Sequence, residues 1–270
     1  MGEKMVPFTN RWMFGRVVCN ESVCRGLIRA LLGIEAGEID YLNAEQCYEP
    51  GLESRGVRMD VVAKADGRVY DIEMQLGDEP EIGRRMRYYQ AALDAGEMER
   101  GDKYDLLPES HIVFICVGDP YRLGMPAYTF DRVCLEAPGL AAGDASRWHV
   151  LNARAWEVEP DAAVRAVLQY VRTGMATDAL SREIDGLVSE YNRDRKWVGR
   201  VITFEQDTEM RCRWAEERGR EEGLATGIER GEDRLGALVA KLISLGRSED
   251  AARAAESREY RLRLYEELGL

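Results

Sequence analysis

The stretch VRMDVVAKADGRVYDIEMQ, residues 57–75, indicates a β-hairpin whose second strand is unusually polar on one face. Asp66-Gly67 separates two segments of alternating and β-branched residues, and Asp-Gly in that setting is a strong signal for a two-residue hairpin turn. The turn alone predicts the register of the two strands. In that register the opposed pairs are Ala65–Arg68, Val62–Asp71, Asp60–Glu73 and Arg58–Gln75.

The predicted register brings two acidic side chains, Asp60 and Glu73, together. Directly opposed residues have Cβ atoms about 4.5–5.5 Å apart, and two carboxylates at about 5 Å repel by roughly 3 kcal/mol at an effective dielectric constant near 20. A proton, an arginine or a divalent cation would offset that repulsion. One alternative is therefore a half-exposed salt-bridge face that includes Arg58. The other is an Mg²⁺ or Mn²⁺ site, because both cations favour carboxylate oxygens.

The composition of the chain predicts a soluble globular protein with a charged surface. It has 270 residues, 45% hydrophobic and 32% charged, and no stretch approaches the ~20 apolar residues of a membrane span. The start of the chain lacks a secretory signal pattern. The six cysteines form no C-x-x-C pair and the two histidines lie far apart, so we expect no zinc site and a reducing, cytoplasmic location.

The net charge of −12 argues against a general electrostatic attraction to DNA. If the protein handles nucleic acid, it must do so through a local basic patch.

Hydrophobic periodicity divides the chain into a sheet-containing part and a helical part. Residues up to about 43 are predicted to be helical, with one helix in NESVCRGLIRALLG that ends at Gly33. Five strand patterns and one helix, EIGRRMRYYQAALDAG with its stop at Gly96, follow up to residue 155. This order predicts a mixed α/β sheet flanked by helices in residues 1–155, followed by an all-helical region in residues 156–270.

Glycines recur at every fourth position of the helical region, at Gly219, Gly223, Gly227 and Gly231. In a helix they would lie along one stripe, and each would cost about 1 kcal/mol relative to alanine. The segment is therefore either a loosely helical linker or a surface for close helix–helix packing in an oligomer.

Asp60, a hairpin and then Glu73-Met74-Gln75 resemble the PD-(D/E)XK nuclease signature, with Gln75 where lysine is usual. More narrowly, the chain resembles the Rpn family of recombination-promoting nucleases, also called PD-(D/E)XK family transposases. The resemblance covers most of the chain and implies a restriction-endonuclease-like fold. It is carried by the words TNRWMFGRVV, RGVRMDVVAKADGRVYDIEMQ, RRMRYYQAAL, EERGREEGLATGIERG and ALVAKLISLGRSEDAARA.

The resemblance implies a metal site and a catalytic role for three residues. Asp60, Glu73 and the backbone carbonyl of Met74 would bind Mg²⁺ or Mn²⁺. Gln75 would orient water and phosphate, although it lacks the charge of lysine. Asp71, on the same strand face, is either an acid that supports the metal ligands or a solvated surface residue, and Glu21 is a weaker candidate for support from the first helices.

Residues of the helix after the hairpin are candidates for DNA binding. The spacing predicts that Arg84 and Tyr88 lie on its outer flank, where the simplest interpretation is a charged surface that includes Glu81. The family pattern of an arginine and an aromatic residue instead favours phosphate binding by Arg85 and a shared core and site role for Tyr89.

Two functions follow from these patterns. The first is a divalent-metal-dependent DNA endonuclease linked to recombination or mobile elements. The alternative is a catalytically weak or inactive protein of the same fold that oligomerises through its C-terminal helices.

Overall fold

The computed structural model describes residues 5–48, 56–77 and 81–269. The α-helices are α1 (Arg11–Val18), α2 (Glu21–Leu32), α3 (Ile82–Glu97), α4 (Ala162–Thr173), α5 (Ala179–Asn192), α6 (Arg195–Ser244), α7 (Ser248–Glu256) and α8 (Arg258–Leu268). The strands are β1 (Tyr41–Tyr48), β2 (Val57–Ala65), β3 (Arg68–Gln75), β4 (Glu109–Cys116), β5 (Ala127–Phe130) and β6 (Ser146–Asn152). Two short 3-10 helices cover Tyr104–Leu106 and Ala153–Val158.

The strands form one mixed sheet in the order β1-β2-β3-β4-β6-β5. β3, β4 and β6 are parallel to one another, whereas β1–β2, β2–β3 and β5–β6 are antiparallel pairs. The predicted fold class, a mixed sheet with flanking helices and a helical C-terminal region, is confirmed. The prediction that residues up to about 43 are helical is wrong at its end, because β1 begins at Tyr41.

Local capping explains where several helices begin and end. The side chain of Asn20 accepts hydrogen bonds from two backbone N–H groups at the start of α2, and Gly33 ends that helix with φ of 67°. The predicted stop of α3 at Gly96 is wrong, since the helix continues to Glu97. A Cβ atom at Gly96 would overlap the ring of Tyr48, so glycine is needed there for the close approach of β1.

The two faces of the sheet carry separate cores. One face includes Val61, Tyr70 and Ile72 and packs against residues of α1, α2, α4 and α5. The other includes Met59 and Phe114 and packs against α3. Alternate residues of β3 therefore contact different layers, and the polar residues 71, 73 and 75 share the face that α3 covers.

The chain divides into two compact units, of which the first ends at Ile202 and the second begins at Thr203. The first unit extends past the expected boundary at residue 155, because α4 and α5 contribute to a core of the sheet. The second unit has its own small core, made of Leu238, Leu242, Ala251, Ala254, Leu264 and Tyr265. Within the described residues, no helix combines the length and the apolar character needed to cross a membrane.

The glycine-spaced segment is helical. Gly219, Gly223, Gly227 and Gly231 all lie within α6, and a Cβ atom at any of them would meet no other described atom within 4 Å.

Candidate active site

The hairpin turn has the conformation that its sequence predicts. Asp66 and Gly67 have φ of 51° and 70°, as a type I′ turn requires. The pairs from Ala65–Arg68 to Val61–Ile72 follow the predicted register, which confirms the opposition of Val62 and Asp71.

The predicted register fails at Asp60. The β2–β3 ladder ends at Val61–Ile72, so neither Asp60–Glu73 nor Arg58–Gln75 is a ladder pair. The side chains of β2 also switch faces of the sheet between Met59 and Val61. These two residues are two positions apart, yet Val61 belongs to one core and Met59 to the other. Such a change of side-chain direction is the effect of a bulge, which re-aims side chains next to active sites.

Asp60 and Glu73 meet through hydrogen bonds that replace the lost ladder. The backbone N–H of Asp60 donates to Glu73 Oε1 at 2.6 Å, and the backbone N–H of Met74 donates to Asp60 Oδ2 at 3.0 Å. The backbone carbonyl of Gln75 accepts from the N–H of Val117, on the side of β4. Its neighbour Met74 therefore points its N–H and C=O towards β2. The Met74 carbonyl is therefore on the same side as the Asp60 carboxylate.

The carboxyl group of Asp71 is buried without a hydrogen-bond donor. Asp71 is 0% exposed and neither of its side-chain oxygens has a hydrogen-bond partner, which excludes the solvated alternative for this residue. Glu73, 1% exposed, lies within hydrogen-bonding reach. Two carboxylates have no proton to share, so they bond only when one is protonated or a cation joins them.

Burial and mutual repulsion govern the charges of Asp60, Asp71 and Glu73, which we call the acid cluster. Burial raises the pKa of all three groups, and the pKa of Glu73 is raised further by Asp71 and then by Asp60. Hydrogen bonding and nearby arginines only partly offset the raised pKa of Asp60. Acidic groups with strongly shifted pKa values are common in catalytic and metal sites.

Arg85 supplies the nearest positive charge to the acid cluster. Its guanidinium donates to Glu73 Oε2 at 3.2 Å, to Tyr89 Oη at 2.9 Å and to the side-chain oxygen of Gln75. Tyr89 is 9% exposed and packs edge-on against Phe114, so it is both a core residue and a neighbour of the cluster. The salt-bridge partner of Glu73 is thus Arg85 and not Arg58.

The donor set of the acid cluster fits a hard divalent cation. The described residues contain no group of three or more His, Cys, Asp or Glu side chains already gathered as metal ligands. Asp60 and Glu73 instead accept from backbone N–H groups and Arg85. The oxygens of Asp71, beside Glu73, have no hydrogen-bond donor, so a positive charge would stabilise them. Carboxylate oxygens are also the ligands that Mg²⁺ and Mn²⁺ favour.

Three of the other predicted site residues lie outside the acid cluster. Arg84 is largely exposed and pairs with Glu81 at 3.1 Å, as the charged-surface interpretation expects. Tyr88 is 39% exposed on the same helix. Glu21 is exposed at the start of α2 and pairs with Arg25 at 3.7 Å, and no described contact joins it to the acid cluster.

Sequence reasoning missed the part of the site that α1 and β1 supply. α1 packs closely on the break in β2: a Cβ at Gly15 would lie 3.2 Å from Ala44 Cβ and 3.8 Å from Asp60 O. Arg11, on this helix, acts electrostatically on Asp60 and contacts Glu45 of β1. The word TNRWMFGRVV contains Arg11, but nothing in its spacing relates it to a residue 49 positions away.

Comparison with known proteins agrees with this geometry. Residues 5–123, which include α1 to α3, the hairpin and β4, match the model of a family described as PD-(D/E)XK nuclease family transposase. No curated protein and no solved structure matches the chain. The match supports a nuclease-like function. The similarity to the PD-(D/E)XK nuclease family transposases is thus found over residues 5–123.

Proposed function

We propose that this protein is a divalent-metal-dependent DNA endonuclease linked to recombination or mobile elements. The observation that carries the proposal is the buried carboxyl of Asp71, which lacks a donor and lies beside Glu73 in a PD-(D/E)XK hairpin. A purely structural face would leave such a group paired, since an unpaired buried charge costs several kcal/mol.

In this proposal Asp60, Glu73 and the Met74 carbonyl hold Mg²⁺ or Mn²⁺, and Asp71 supports them from deeper in the sheet. The bound cation would lower the pKa of a water molecule and neutralise charge on the attacked phosphodiester. The sheet fixes the acids before substrate arrives, because Asp60 and Glu73 are each held by a backbone N–H of the facing strand.

Gln75 and Arg85 together replace the usual lysine in the proposal. Gln75 is uncharged, but its side-chain oxygen accepts from the Arg85 guanidinium. Arg85 therefore brings a positive charge to the third position of the signature from α3, and a guanidinium can hold a phosphate with two hydrogen bonds. Tyr89 orients Arg85 through its hydroxyl, while Arg84 and Tyr88 contact DNA only at the outer flank of α3.

A plasmid assay tests the proposal. Purified full-length protein should nick or cut supercoiled DNA with Mg²⁺ or Mn²⁺ and not with EDTA. Asp60→Asn and Glu73→Gln keep the size of each side chain, and each should lower the rate by roughly a hundredfold or more, as should Asp60→Ala and Glu73→Ala. Glu81→Gln changes the charge equally on the outer face of α3 and should cut like the parent. Cleavage by all three variants at the parental rate would refute the site assignment.

The alternative function, an interaction protein that self-associates through its C-terminal helices, is favoured by one observation. The four glycines of α6 present an open helix face, and small residues on such a face allow two helices to approach closely. Light scattering on the full chain and on Gly223→Leu measures this proposed homo-oligomer. A protein that self-associates, does not cut DNA and gains no thermal stability from Mn²⁺ would favour this function.

Two further expectations accompany the proposal. We propose that residues 1–155 carry the nuclease site, within the compact unit that extends to Ile202, and that residues 156–270 have an accessory or oligomerisation role. A reducing, cytoplasmic location is supported by the five described cysteines, none of which forms a disulfide.

A further inference from the structure

Glu45 occupies the position on β1 that faces the break in β2. The β1–β2 ladder pairs Ala44 with Val61 and Gln46 with Met59, and it omits Glu45 and Asp60 between them. Glu45 has φ of 60°, a left-handed conformation that is uncommon for residues other than glycine and asparagine. The irregular backbone turns the Glu45 side chain away from the ladder and towards two arginines.

Those arginines, Arg11 and Arg58, share the carboxylate of Glu45. Arg11 Nη2 lies 3.4 Å and Arg58 Nη1 lies 4.0 Å from the same atom, Glu45 Oε1. The side chains of all three are between 32% and 44% exposed, so a ligand can reach them from solvent. The Arg11 guanidinium also lies 4.5 Å from the centre of the Trp12 ring, which restricts its plane.

Both arginines are close enough to the acid cluster to act on it. Each lowers the pKa of Asp60 through its charge, as Arg85 does. They come from α1 and β2, whereas Arg85 comes from α3, so positive charge reaches Asp60 from separate elements. Arg85 is held by Glu73, Gln75 and Tyr89, whereas Arg11 and Arg58 both contact Glu45.

We propose that Arg11 and Arg58 bind the phosphates of a DNA strand next to the phosphodiester that is cut, and that Glu45 holds both guanidinium groups until a phosphate displaces its carboxylate. This inference rests on the proposed nuclease function and adds a binding site to it. Displacement costs little, because partly exposed ion pairs contribute about 0–1 kcal/mol. The site is also the local basic patch that a chain with a net charge of −12 needs in order to bind DNA.

A binding titration without cleavage tests the proposal. Fluorescence anisotropy of a labelled DNA duplex, with the full chain in EDTA, gives the dissociation constant at several salt concentrations. Arg11→Ala and Arg58→Ala should each weaken binding roughly fivefold, and each should reduce the slope of log K against log salt by about 0.9. Arg11→Lys and Arg58→Lys should keep most of the slope, which a purely structural role would not produce.

Glu45→Gln is the opposite test, and Glu81→Gln is its matched control. Glu45→Gln should tighten binding roughly threefold to fivefold, because it removes the competing carboxylate. Glu81→Gln makes the same charge change beside Arg84 and should alter binding by less than about twofold. Equal effects of the two glutamine variants, or parental binding by both alanine variants, would overturn the proposal. Loss of the Mn²⁺-induced thermal shift in Glu45→Gln would also overturn it, because Glu45 would then be a metal ligand.

Cleavage measured in parallel separates this proposal from the nuclease function. If the parent binds DNA through Arg11 and Arg58 but does not cut plasmid with Mg²⁺ or Mn²⁺, the phosphate site stands and the nuclease function fails. If the parent cuts DNA and the two alanine variants bind and cut equally well, the nuclease function stands and the phosphate site fails.

Discussion

Two groups of polar side chains lie on opposite faces of the same sheet, and they differ in how well their hydrogen bonds are satisfied. The first group, which we call the histidine chain, is Glu109, His111, His149 and Thr129. His111 Nε2 bonds Glu109 Oε1 at 3.2 Å, His111 Nδ1 bonds His149 Nε2 at 3.2 Å, and His149 Nδ1 contacts Thr129 Oγ1 at 3.5 Å. One set of neutral tautomers satisfies both rings.

The acid cluster, on the other face, has no such arrangement. Both oxygens of Asp71 lack a donor, and the neighbouring Glu73 is a second carboxyl group. Satisfied polar networks make a structure rigid, whereas a buried group without a partner needs an explanation of its own. The comparison shows that the hydrogen bonds of the histidine chain are satisfied in the folded protein, whereas Asp71 in the acid cluster has no hydrogen-bond donor.

The largest expected effect on stability comes from removing a hydrogen bond of the histidine chain. His149→Leu removes the partner of His111 Nδ1, and His111 is 1% exposed, so no water replaces the bond. We expect a loss of about 3 kcal/mol in the free energy of unfolding, measured by urea denaturation. Thr129→Val is the control, because Thr129 is the exposed end of the hydrogen-bonded histidine chain. It should lower the free energy of unfolding much less. Parental stability of His149→Leu would show that the two groups do not differ.

Binding of a divalent cation at the acid cluster should raise the free energy of unfolding by a similar amount. At a hundredfold excess of Mn²⁺ over its dissociation constant, we expect a gain of about 2.7 kcal/mol, seen as a rise in melting temperature. The gain should be larger at pH 8 than at pH 5, because the cation competes with protons for carboxylates of raised pKa. Glu73→Gln should remove the gain and His149→Leu should keep it; an equal shift in both would contradict the assignment.

The histidine chain should make the protein sensitive to acid. Burial, and then the charges of His111 and Arg147, lower the pKa of His149 to about 4. In the unfolded chain His149 has a pKa near 6.5, so between pH 6.5 and 4 it is protonated in the unfolded state but not in the folded state. The contribution of His149 to the free energy of unfolding is therefore complete above about pH 6.5 and is lost as the pH falls towards 4. We expect a loss of about 3 kcal/mol across that range. An equally steep loss in His149→Leu would assign it to other groups.

A smaller effect of opposite sign is expected when the acid cluster loses a charge. Asp71→Asn keeps the shape of the side chain, and its amide can donate to Glu73. Without metal at pH 8 we expect a gain of about 1.5 kcal/mol in the free energy of unfolding, because a buried unpaired charge is removed. The raised pKa of Asp71 means that protonation already relieves the parent at low pH, so the gain should shrink towards pH 4. A loss of stability at pH 8 would show that Asp71 is satisfied in the native protein.

The parts of this structure that the sequence predicts are those set by neighbouring residues. The Asp66-Gly67 turn fixes five strand pairs, and Asn20 and Gly33 bound α2, because turns and caps depend on local backbone chemistry. The break at Asp60 could not be predicted, since it depends on the irregular backbone of Glu45 in a neighbouring strand.

Contacts between residues that are distant in sequence also determine β1, the burial of Asp71 and the position of Arg11. The strand YLNAEQCY is too polar to be recognised as β1 from its own pattern. The burial of Asp71 depends on its cover by α3, and the arrival of Arg11 depends on the packing of α1. Residues that are distant in sequence therefore complete the candidate site, while the hairpin that carries its centre is local.

The open glycine face of α6 has a geometric consequence for any partner. Four residues advance about 400° around an α-helix, so successive glycines drift by about 40° and the four span about 120°. A repeat longer than 3.6 residues winds around the helix in the right-handed sense. A straight partner helix lying parallel to α6 would lose contact after two glycines, so only a partner that crosses α6 obliquely can follow all four.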